Sequence, residues 1–75
     1  MIKDSYIRVS ICDNIEDANM KTIKLATSGY NAYYNNYENK YEICVGKSTN
    51  SRITIEDILD CLKILGYDES EIIYI

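Results

Sequence analysis

With 75 residues, eight basic against twelve acidic side chains, a net charge of −4 and no histidine, the chain has the size of one small domain. It lacks both the commonest general base and the commonest metal ligand. The negative balance opposes the phosphate backbone that dominates nucleic-acid affinity and opposes adsorption to anionic lipid, so neither nucleic acid nor membrane is an expected partner.

No run approaches the ~20 apolar residues of a membrane span, and the N-terminus, a polar lead-in after Met1, lacks the basic and apolar regions of a secretion signal. Cys12, Cys44 and Cys61 are odd in number, widely spaced and without a C-x-x-C pair. Neither a disulfide framework nor a zinc site is expected, and no cofactor is implied.

Tyr6 to Ile11 alternates, with Ile7, Val9 and Ile11 on one side and Tyr6, Arg8 and Ser10 on the other, as in a half-buried strand. Asp13 and Glu16 form an acidic capping pattern that opens a helix. Its inward stripe is Ile15, Ala18, Thr22, Leu25 and Ala26, with Lys21 and Lys24 toward solvent, and Gly29 ends it. A second strand runs from about Tyr30 to Asn36, turns near Glu38 and Asn39, and returns as a third from Lys40 to Val45. Strand parity sends Tyr30, Ala32 and Tyr34 toward the helices, and sends Asn31, Tyr33, Asn35 and Tyr37 to the other face with Lys40 and Glu42. Without phenylalanine or tryptophan, the chain must use Tyr30, Tyr34 and Tyr41 as its large core aromatics.

Thr54 with Asp57 three residues on caps a second helix, in which Ile55, Ile58, Leu59, Leu62 and Leu65 recur at helical spacing before Gly66. Cys61 reads as small buried filler. Glu71 to Ile75 is a short β-prone segment whose unblunted edge makes it a candidate homodimer contact.

The chain repeats itself: Leu25, Gly29, Tyr30 and Asn31 are spaced as Leu62, Gly66, Tyr67 and Asp68 are. Each set follows a strand and a helix, so the expected fold is α+β, a duplicated strand-helix-strand unit in the order βαββαβ. Such a chain lays two helices on one face of a four-stranded antiparallel sheet and leaves the other face bare.

The bare face is where function is expected. Five of the eight tyrosines fall between Tyr30 and Tyr41, and a tyrosine offers both a flat apolar ring and a polar tip, the two features a sugar needs. The candidate ligand-binding residues are Arg8, Ser10, Asn31, Tyr33, Asn35, Tyr37, Lys40 and Glu42, with the polar loop Lys47 to Arg52 as a solvated connection or a clasp. The acidic clusters Asp13, Glu16, Asp17 and Glu56, Asp57, Asp60 sit at helix starts, where capping accounts for them. Glycoside cleavage needs two carboxylates across one cleft, and Glu42 has no obvious partner, so a binding module rather than an enzyme is expected.

The pattern strand, helix, G-Y-N-A-Y, hairpin, Y-E-I-C-V-G and a second helix ending in G-Y-D resembles the SPOR peptidoglycan-binding domains over nearly the whole chain. Ala18 stands eleven residues before Gly29 and Tyr30, and Tyr41 to Gly46 fits the third-strand pattern of that family. Ser10 stands where the family often has glutamine, and Glu42 where it often has arginine. The resemblance implies non-catalytic binding to glycan strands of the bacterial cell wall, often stripped of stem peptides. A cell-wall hydrolase would be attached or a partner, as in a phage endolysin or amidase of a Gram-positive host, and the protein would reach the wall by export or host lysis. Two other classes fit the same residues: a small acidic phage protein with an anti-defence or regulatory role, acting by charge mimicry, and a ferredoxin-like dimerisation domain whose open sheet is buried.

Overall fold

The computed structural model describes residues 4–75, so Met1, the head of the polar lead-in, lies outside them. The elements follow in the order β1 (Ser5–Cys12), α1 (Ile15–Thr27), β2 (Ala32–Tyr37), β3 (Lys40–Val45), α2 (Ile55–Ile64) and β4 (Glu71–Tyr74). This is the expected α+β arrangement. The strands form one antiparallel sheet in the spatial order β2-β3-β1-β4.

The repeated glycine motif is a repeated helix ending. Gly29 and Gly66 have φ of 97° and 102°. The Gly29 and Tyr30 amides donate to the carbonyls of Ala26 and Leu25, and the Gly66 and Tyr67 amides to those of Lys63 and Leu62. These are two Schellman motifs, in each of which a tyrosine lies beyond the glycine and a leucine opens the last turn. Leu25 and Leu62 are fully buried, and Tyr30 and Tyr67 pack against the same core. Tyr30 therefore belongs to a helix cap and precedes β2 rather than opening it.

The expected capping box of α2 is present: the Asp57 amide donates to Thr54 Oγ1 at 3.1 Å, and the Thr54 amide to Asp57 Oδ2 at 3.0 Å. In α1 the cap lies one residue later than Asp13, since Asn14 Oδ1 accepts the Asp17 amide at 2.9 Å. Asp13 lies in the bend between β1 and the cap, and its carboxylate pairs with Lys40 Nζ at 3.3 Å.

Ile7, Val9, Cys12, Ile43 and Val45 of the sheet, Ala18 and Leu25 of α1, and Ile58 and Leu62 of α2 form one buried cluster, so both helices cover the same face. Tyr34 and Tyr41 join it edge to face, with ring centroids 5.9 Å apart. The helices lie on the sheet without close backbone approach to each other. Leu65 and Cys61, read as inward, are exposed, as are Ile15 and Ala26 at the margins of the α1 stripe.

β1 departs from simple alternation. Arg8 pairs with Cys44 and Ser10 with Ile43, so Val9 and Ser10 together oppose one residue of β3. That β-bulge reverses the parity of everything after it. Ile11, expected in the core, pairs with Glu42 and is 41% exposed, whereas Cys12 enters the core.

Candidate functional site

The face opposite the helices is paved by alternate residues of all four strands. β2 contributes Tyr33, Asn35 and Tyr37, which pair with Cys44, Glu42 and Lys40 of β3. β1 contributes Tyr6, Arg8 and Ile11, and β4 contributes Glu71 and Ile73 opposite Arg8 and Tyr6. Of the candidate residues, Arg8, Tyr33, Asn35, Tyr37, Lys40 and Glu42 share this face.

Ser10 does not. The bulge turns it to the helix side, where it lines a cleft with Leu25 and Tyr67 and its hydroxyl has no hydrogen-bond partner among the described residues. Asn31 precedes β2. Its carbonyl accepts the Gly46 amide at 2.9 Å, and its side-chain amide reaches the Lys47 carbonyl at 3.5 Å. A Cβ added at Gly46 would lie 3.1 Å from the Asn31 side chain and 3.6 Å from the Tyr33 ring. The glycine that ends the third-strand pattern thus leaves room for both side chains on the sheet, and keeps Asn31 beside Tyr33.

At the centre lies a network with Glu42 at its base, only 4% exposed. Glu42 Oε2 accepts from Tyr6 Oη at 2.9 Å and from Arg8 Nε at 2.7 Å. Arg8 Nη1 donates to Glu71 Oε1 at 3.2 Å, and the guanidinium carbon sits 4.8 Å from the centre of the Tyr37 ring. Burial alone would raise the Glu42 carboxyl. The Arg8 and Tyr6 hydrogen bonds, the Cys44 contact and the Arg8 charge outweigh it and hold the group below its ordinary value. The Arg8 guanidinium is in turn pushed up, chiefly by its bond to Glu42. Burial raises the Tyr33 and Tyr6 hydroxyls, with the Glu42 bond adding to the effect at Tyr6.

Cys44 is fully covered although it points away from the helices, and burial pushes its thiol up to about 12. It is a filler beneath the Tyr33 side and is not a thiolate nucleophile at neutral pH.

Tyr6, Ile11 and Glu71 belong to this face and were not among the residues expected to bind. Tyr6 was legible from its parity with Arg8, and Ile11 was hidden by the bulge. Glu71 is 63 residues from Arg8, and only the fold brings them together. Glu71 also supplies Glu42 with a second carboxylate on the same face, contrary to the sequence reading. Both are bound to one guanidinium, and Glu42 is held ionised, the opposite of what a general acid requires.

The described residues contain no cluster suited to a metal ion and no helix long and apolar enough to cross a membrane. No family model, curated protein or solved structure matches the chain.

Proposed function

We propose that this protein binds glycan strands of bacterial cell-wall peptidoglycan without cleaving them and holds an attached or partner hydrolase at the wall. The observation that carries this reading is the row Tyr33, Asn35 and Tyr37 along β2 on the uncovered face, next to an arginine whose orientation is fixed by two carboxylates. Sugar rings offer apolar C–H faces to tyrosine rings and hydroxyl or acetamido groups to immobile polar side chains. A site already ordered before binding loses little entropy when it does so. The resemblance of the sequence pattern to SPOR domains points to the same ligand class and the same sheet face. Of the tyrosines on the uncovered face, Tyr33, 36% exposed, is the most open to a ligand.

The test is retention of the purified protein on insoluble peptidoglycan, comparing intact sacculi with amidase-stripped glycan. Tyr33→Ala should weaken retention by roughly fivefold, about 1 kcal/mol, while leaving stability within about 1 kcal/mol of the parent. Leu62→Ala should instead destabilise the fold by ~2–5 kcal/mol. No retention on either preparation would exclude the wall as the target. Equal losses of stability in the two variants would show that Tyr33 is a core residue rather than a ligand contact.

A further inference from the structure

β4 is an edge strand, and its outward backbone groups can be identified. The Ile75 amide donates to the Asp4 carbonyl at 3.0 Å. In an antiparallel ladder, hydrogen-bonded and non-bonded pairs alternate. With the register Tyr6 to Ile73 and Arg8 to Glu71, residues 71, 73 and 75 therefore turn their N–H and C=O groups toward β1. Ile72 and Tyr74 turn theirs away, and no described segment pairs with them.

The side chains around that edge are apolar and uncovered: Tyr74 is 63% exposed and Ile75 76%. β4 carries no lysine, proline or bulge, the usual means of blunting an edge. The opposite edge, β2, is lined by Asn35 and Asn36 and closes on a tight turn.

We infer that the partner of this edge is the β4 strand of a second copy, paired antiparallel about a two-fold axis at Ile73. In that register Ile72 of each copy faces Tyr74 of the other, and the four outward N–H and C=O groups on each strand are all used. Shifting the axis to Ile72 would set Tyr74 against Ser70, whose amide already donates to the Tyr67 carbonyl, and would strand one carbonyl. Side chains agree with the first register. Ile73 meets its own copy at a non-bonded pair, where side chains approach closest, and Ile72 and Tyr74 form a β-branched–aromatic pair on the helix side. Antiparallel pairing also sets Asp68, Glu69 and Glu71 of the two copies at opposite ends of the seam, whereas parallel pairing would stack them. The product is a continuous eight-stranded sheet whose two uncovered faces point the same way. On the glycan reading, the dimer is a double-length, bivalent platform.

Native-state amide hydrogen exchange on the full chain tests this without any glycan. Ile73 and Ile75 amides should be protected at all concentrations, and Ile72 and Tyr74 amides should gain protection as concentration rises. Over the same range, sedimentation should move from 8.7 kDa to twice that mass. Tyr74→Pro removes a donor that the single copy does not use, so the variant should keep its far-ultraviolet spectrum and lose the dimer at concentrations where the parent is dimeric; Tyr74→Ala, which retains the amide, should keep it. A single-copy mass throughout, unprotected Ile72 and Tyr74 amides at every concentration, or a dimer indifferent to Tyr74→Pro would overturn the proposal.

Discussion

Ser10 shows how one inserted residue decides what a side chain can do. Its hydroxyl is buried on the helix side of the sheet with no hydrogen-bond partner among the described residues, and a buried polar group left unpaired costs more than its removal. Ser10→Ala should stabilise the protein by about 1 kcal/mol in urea denaturation. On the proposed function it should leave wall binding unchanged, because the side chain lies on the helix side of the sheet, away from the uncovered face. An unchanged or lower urea midpoint would mean that the hydroxyl is satisfied; weakened binding would place it at the site after all. Cys44 obeys the same rule from the other direction: it faces away from the helices, yet the side chains above it remove it from solvent as completely as the core does.

Each element of this fold is set by chemistry that is either local or distant in the chain, and that distinction decides what could be read beforehand. The β2–β3 hairpin closes on Glu38 and Asn39, with φ of 47° and 69°, the two left-handed residues of a type I′ turn. Asparagine tolerates that conformation, whereas glutamate is strained in it by ~1–2 kcal/mol. Glu38→Asn should therefore raise stability by about 0.5–1 kcal/mol. A Tm at or below the parent's would show that the glutamate is not strained there. The turn position, the Thr54–Asp57 capping box and both glycine-ended helices were legible because their residues lie within a few positions of one another. The bulge at Val9 and Ser10 was not. Its one local trace is that apolar Val9 and Cys12 stand three apart instead of two, and alternation through Ile11 masked it. For the same reason the site was only partly legible. Parity found Arg8, Tyr33, Asn35, Tyr37, Lys40 and Glu42, but the ties from Arg8 to Glu42 and Glu71 join strands remote in sequence, and Ser10 was misplaced by the bulge.

At the scale of the whole molecule, a chain of this length buries only ~60% of its unfolded surface, so contacts on the uncovered face matter to the fold as well as to a ligand. Tyr6 and Arg8 of β1, Glu42 of β3 and Glu71 of β4 stitch three of the four strands together on the side that no helix covers. This makes stability depend on the ionisation of Glu42. Its carboxyl is lower in the folded protein than its ordinary value of 4.5, so the folded state favours the charged form. The stabilisation is complete above that ordinary value and is lost as pH falls through the folded one. Glu42→Gln should accordingly be destabilised at neutral pH by about 1.5–3 kcal/mol, the range for a hydrogen bond to a charged group. The gap between parent and variant should narrow as the pH drops below about 4.5, since acid removes from the parent what the substitution has already removed. Urea midpoints of both proteins across that range measure the gap directly. A gap that stays constant on acidification would mean that Glu42 acts through shape alone, and that the Arg8 pairing does not hold the open face together.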